Sequence, residues 1–203
     1  MRKLFIKVIE TFGKHPIVPG AHRMMMIVLA VMLYTGAHAQ LGSYYNGTSH
    51  YKSKGLSWGI KKPLGFTQKE ADRPNIVQKW VIGGTSIHTM VKNLPSEMQG
   101  FEKADWVEYL SQGGAEELGK EMGADRASYS VIDNYPAVKT YQSTTHRRLD
   151  LTIDIYTTQY MVILEDVAFV LQLVSSSKAA HDKHSKLLYQ LANTVIFYEQ
   201  YGN

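Results

Sequence analysis

Few side chains in this 203-residue chain have both the type and the spacing to do chemistry. His181-Asp182-Lys183-His184 sets two imidazoles three residues apart, on one face of a helix and close enough to share a metal ion. Two ligands do not complete a tetrahedral site. A third would have to come from His50, His88, His146 or a carboxylate brought in by the fold, and His184 is equally explained as part of an apolar helical stripe. Asp150 and Asp154, with Arg147 and Arg148 nearby, are a candidate acid/base pair. Glycosidase chemistry needs two carboxyls roughly 5 to 10 Å apart, whereas strand residues four apart are about 13 Å apart at Cα. The pair reads as a solvated sheet face carrying ion pairs across strands. Neither an H-E-x-x-H pair nor a Walker-type glycine loop occurs. No residue is therefore assigned a catalytic, cofactor-binding or metal-binding role.

The compartment is read from the N-terminus. Residues 24–34 are eleven consecutive apolar or aromatic residues, short of the roughly 20 that a helix needs to cross the hydrocarbon core. Arg2, Lys3, Lys7, Lys14 and Arg23 precede them against the single acid Glu10, and Ala37-His38-Ala39 follows with small residues where a signal peptidase reads. Residues 1–39 thus read as a secretory signal peptide cleaved between Ala39 and Gln40. An uncleaved N-terminal anchor is the competing reading, and Met24, Met25 and Met26 are alternative starts. Without the leader the chain keeps 17 basic and 17 acidic groups, so the formal charge of +4 belongs to the leader. A neutral mature chain gives no support to a nucleic-acid partner, which would need a basic face. Cysteine is absent, which excludes disulfides, thiolate ligands, a cysteine nucleophile and a lipid-modified cysteine. A domain of about 160 residues buries roughly 68 to 70% of its chain surface without such staples. The expected location is periplasmic or secreted, with no stable membrane span after cleavage.

The elements that must position any site follow from periodicity. Residues 40–54 are polar and without period; they read as a flexible N-terminal segment whose Tyr44, Tyr45 and Tyr51 form an adhesive arm. Residues 55–203 read as a single domain. Alternation predicts a strand over 56–61, and 76–82 and 85–94 are β-rich runs joined by Gly83-Gly84 as a tight hairpin. Residues 101–110 and 115–122 carry helical composition. In the first, Phe101, Ala104, Val107 and Leu110 recur every three residues, and Trp106 and Tyr109 broaden the apolar face. Strands follow at 129–132 and 137–143 around the turn Asp133-Asn134-Tyr135-Pro136. A further strand at 149–155 has one wet face, and 160–164 with 167–174 form a central hairpin covered on both faces. Ser175-Ser176-Ser177 offers caps to a helix striped by Ala180, His184, Leu187, Leu188 and Leu191, and residues 194–198 close the chain as a strand. Trp58, Trp80 and Trp106 are expected in the core.

Hairpins interrupted by helices make an α+β fold, a mostly antiparallel sheet with helices packed on it, sandwich-like and single-domain. The strand ending in Ile60-Lys61-Lys62-Pro63-Leu64-Gly65-Phe66, the turn Ile132-Asp133-Asn134-Tyr135-Pro136-Ala137 and the closing Leu191-Ala192-Asn193-Thr194-Val195 resemble the PsbP-like α/β/α sandwich superfamily. That group includes the extrinsic photosystem II subunit, a Ran-binding nuclear import factor and bacterial envelope proteins. The resemblance spans most of residues 55–200 and implies a scaffold for protein contacts, with no catalytic residue to carry over. The absent lipidation cysteine departs from the lipoprotein members. The expected partner is another protein of the cell envelope; a small-molecule-binding module with a pocket between sheet and helices is the runner-up, and a hydrolase comes third.

Overall fold

The computed structural model describes residues 41–51, 54–71, 73, 75–148 and 151–201. The expected leader, its cleavage point and Asp150 lie outside these residues, as do the side chains of His50, Tyr51 and Arg148. In chain order the elements are β1 (Leu41–Tyr51), β2 (Lys54–Pro63), β3 (Thr67–Lys69), β4 (Ile76–Ile82), β5 (Thr85–Asn93), α1 (Lys103–Tyr109), α2 (Ala115–Glu121) and β6 (Arg126–Ile132). Then come β7 (Tyr135–Arg148), β8 (Leu151–Leu164), β9 (Val167–Ser175), α3 (Lys178–Ala192) and β10 (Ile196–Phe197).

Seven strands form one sheet in the order β3-β4-β5-β9-β8-β7-β6, and β1-β2-β10 form a second, smaller one. Every pairing is antiparallel. The tight turns are where the sequence places them. Gly83 supplies a φ of 53° between β4 and β5, and Asp133 and Asn134, at 47° and 64°, turn β6 into β7 as a two-residue connection. Tyr135 and Pro136 consequently belong to β7 rather than to the turn.

Period-two alternation divides the core into two layers. Val167, Phe169, Leu171 and Leu173 of β9 face α3 and the small sheet, packing with Trp58, Ile60, Trp80, Leu187, Leu188, Leu191 and Phe197. Ala168 and, from β8, Ile163 face the other way, against Trp106, Leu110, Ala115 and Leu118 of the α1–α2 layer. The result is helix, sheet, helix, with all three tryptophans buried.

Three expectations are corrected. Residues 41–51 are a strand, not a flexible segment: Gly47 lies opposite Trp58 in the register, and its missing side chain lets the indole lie across β1. Tyr45 of the same strand packs edge-on against Trp80, with centroids 6.1 Å apart. Second, α1 turns all of the predicted stripe but Leu110 outward. Its buried positions are Trp106 and, at the following cap, Leu110, one turn apart, while Phe101, Ala104 and Val107 stay exposed. A π-turn at Leu110–Gly114, with Gly113 at φ 107°, links α1 to α2 and fixes this rotation. Third, the expected strand at 149–155, from residue 151 on, and that at 160–164 are one strand, β8. Its first residues pair only with β7, as a two-stranded ribbon exposed on both faces from 151 to 154.

Candidate functional site

Ser177 caps α3 by accepting from the Ala180 N–H at 3.4 Å, and this start fixes which histidine turns inward. His181 shares a face with Leu188 and Ala192 and is 2% exposed; His184 is half-buried on the flank, its ring edge-on to Phe66 at 5.2 Å. Burial, and then the Lys183 charge, hold His184 below the ordinary value of 6.5. The two rings therefore serve different surroundings. Among the described residues no third ligand arrives: His88 pairs in register with Gln172 on the sheet face away from α3, and His146 is exposed on the β7–β8 ribbon. Among the described residues, no group of three or more His, Asp or Glu side chains converges. Asp154 is exposed on the ribbon, where its Oδ1 accepts from the Thr145 hydroxyl at 2.7 Å.

His181 lies in a chain of polar contacts that the sequence does not announce. Its Nε2 is 3.0 Å from the buried Thr158 hydroxyl of β8. Its Nδ1 faces Asp182 Oδ1 at 3.4 Å and Ser185 Oγ at 3.5 Å, and Asp182 is bonded to Lys178 at 2.6 Å. The bond to Lys178, followed by that to His181, lowers the Asp182 pKa and in turn raises that of Lys178. The rings of Tyr141 and Tyr156 stand around the imidazole at 5.4 and 6.3 Å. Outside this chain opens a groove of about 500 Å³ between the first turns of α3 and strands β6 to β8. The volume suits a small molecule.

A second surface lies on the opposite side of the large sheet. Glu102 starts α1 with a capping box, its N–H donating to Asp105 Oδ2 at 3.0 Å. Phe101 therefore projects ahead of the helix, 49% exposed, with its ring 5.6 Å from Trp106; Tyr109, 42% exposed, follows 6.1 Å beyond. Two cavities, of about 270 and 560 Å³, share Phe101 and Trp106. Glu97, Glu102 and Asp105 rim them, and Lys103, over the Tyr135 ring at 4.8 Å, is the one Lys or Arg among the described lining residues. The local field is negative. Burial, followed by Glu199, Asp133 and Glu165, raises the Tyr135 pKa, and burial followed by Glu117 raises that of Tyr109.

One pattern escaped the reading of the sequence. Gly55-Leu56-Ser57-Trp58-Gly59 has the spelling of a nucleophile elbow. It runs through the middle of β2, without the strand-to-helix turn that would expose the serine, and the Ser57 N–H donates to Glu199 Oε1 at 2.6 Å. The spelling therefore lies in a strand rather than at an elbow.

No family model matches the chain, and no curated protein matches it in sequence. Among solved structures, several resemble it at TM-scores below 0.5. CyanoP, the cyanobacterial PsbP of Synechocystis, is 8% identical with a TM-score of 0.44, covering 77% of this chain and 94% of its own. The Ran-binding protein Mog1p of Saccharomyces cerevisiae is 11% identical with a TM-score of 0.40, over 75% of this chain and 95% of its own. A protein of Bacteroides thetaiotaomicron, 10% identical, gives a TM-score of 0.42 over 69% of this chain and 44% of its own. The likeness to CyanoP and to Mog1p is thus weak, in sequence and in backbone alike.

Proposed function

We propose that this is an exported protein, periplasmic or secreted, that works by protein–protein contact through the outward side of α1. The observation that carries the reading is an apolar surface around α1 that stays exposed among the described residues. Phe101, Val107 and Tyr109 stay exposed beside the buried Trp106. Large aromatics of this kind are the usual anchors of an interface, and scattered single apolar residues are not. The acidic rim specifies the partner: an envelope protein that presents an apolar anchor flanked by Lys or Arg. Complementary charge sets register and speeds encounter, while the buried ring cluster supplies affinity. No step of bond making is needed for this role.

The test is a pull-down from fractionated native cells through a tag after Asn203, comparing the native protein with a Phe101→Ser/Tyr109→Ser variant. Both side chains are about half exposed, and circular dichroism and thermal melting of the variant check that it keeps its fold. The reading requires one stoichiometric companion with the native protein and its loss with the variant. Equal recovery by both proteins overturns it.

A further inference from the structure

The groove beside α3 has a composition the contact role does not use. Register sets Arg126 opposite Tyr141 and Ser128 opposite Lys139, so two cations of neighbouring strands lie on one wall. Each is stacked on an aromatic ring rather than bonded to a carboxylate: the Arg126 guanidinium is 4.6 Å from the Tyr141 centroid, and Lys139 Nζ is 5.6 Å from that of Tyr160. Stacking holds a cation in place without neutralising it. On the facing wall, Lys178 is bonded to Asp182, the one carboxylate among the described lining residues. The formal balance of the lining is thus three cations against one anion. Ser128, Thr158 and Ser185 add hydroxyls, and the Thr158 hydroxyl is held by the buried His181.

We infer that this groove is a binding site for a small organic anion, distinct from the protein-contact surface. Arg126 and Lys139 hold its carboxylate or phosphate group, and the hydroxyls bond the rest. A guanidinium presents two parallel donors to either oxyanion, so the two anions share one recognition chemistry. A cavity of about 500 Å³ excludes a folded partner and accepts a metabolite-sized molecule. Asp182 opposes the ligand, and its removal strengthens binding.

Isothermal titration of the purified protein with citrate and, separately, with inorganic phosphate, each against sodium chloride of matched ionic strength, tests the site. The expected result is saturable binding of one or both probes beyond the chloride control; the probe that binds tells carboxylate from phosphate. In Arg126→Gln/Lys139→Gln, whose side chains are exposed, binding falls roughly ten- to a hundredfold. In Asp182→Asn it tightens several-fold, a gain that misfolding does not produce. Phe101→Ser/Tyr109→Ser leaves it unchanged, so this test stands apart from that of the contact surface. Absence of binding by both probes at millimolar concentration, or equal binding by the native protein and the Arg126/Lys139 variant, overturns the inference.

Discussion

The link between His181 and Thr158 makes a quantitative prediction about what holds α3 to the sheet. Both side chains are buried, at 2% and 6% exposure, and the 3.0 Å contact between Nε2 and Oγ1 is a polar tie between the two elements. Thr158→Val removes the hydroxyl at constant shape and strands the ring nitrogen. His181→Leu does the converse and strands the hydroxyl. Each leaves one buried polar atom without its partner, which costs about 1 to 3 kcal/mol. The double variant strands neither atom. Its destabilisation therefore falls below the sum of the single losses by about 1 to 2 kcal/mol, the coupling expected of directly bonded groups. Urea denaturation at pH 7 reads this directly. With a slope of about 2 kcal/mol/M, the double variant's midpoint lies about 0.5 to 1 M above the value additivity gives. Additivity within about 0.5 kcal/mol refutes the reasoning, because the two atoms then do not depend on each other.

Three further outcomes follow from particular contacts. A Cβ at Gly47 would stand 2.5 Å from two indole carbons of the fully buried Trp58; Gly47→Ala is expected to destabilise the domain by about 1 to 3 kcal/mol, read by thermal melting. His184 binds its proton less readily folded than unfolded. Its contribution to stability is present above 6.5 and lost as pH falls through the lower folded value, so His184→Gln reduces the slope of stability against pH on the acid side of neutrality. Burial, and then the neighbouring Tyr189, push Tyr160 up to about 12. Its contribution is present below 10.0 and lost as pH rises through about 12, and ultraviolet titration should show one fewer late-ionising tyrosine in Tyr160→Phe than in the native protein.

What the sequence discloses and what it hides divides along physical lines. The Gly83-Gly84 hairpin, the apolar β8–β9 hairpin and the serine-capped α3 are local: each is written in turn residues, caps or periods inside one segment. Strand β1 is not, because its stability comes from a partner residue. Gly47 reads as a loop glycine until Trp58 is found beneath it. In α1, Phe101, Ala104, Val107 and Leu110 follow a true three-residue spacing, yet burial goes to Trp106 and Leu110, since the π-turn and α2 decide which side meets the sheet. The same applies to His181 and His184: both fit a helical stripe, and only the sheet geometry turns His181 toward Thr158. The residues of the groove were not legible, because it joins β6 to α3; Phe101, Val107 and Tyr109 were legible as apolar positions, but not the side on which they stay exposed.

The measurement that tests the contact role most directly is photo-crosslinking in native cells, with benzoylphenylalanine replacing Phe101 in one strain and Tyr189 in another. Tyr189 is 57% exposed on α3, across the large sheet from α1. The account predicts one discrete adduct from position 101, whose partner peptide carries Lys or Arg beside an apolar residue, and none of that mass from position 189. The same adduct from both positions, or no adduct from position 101, contradicts it.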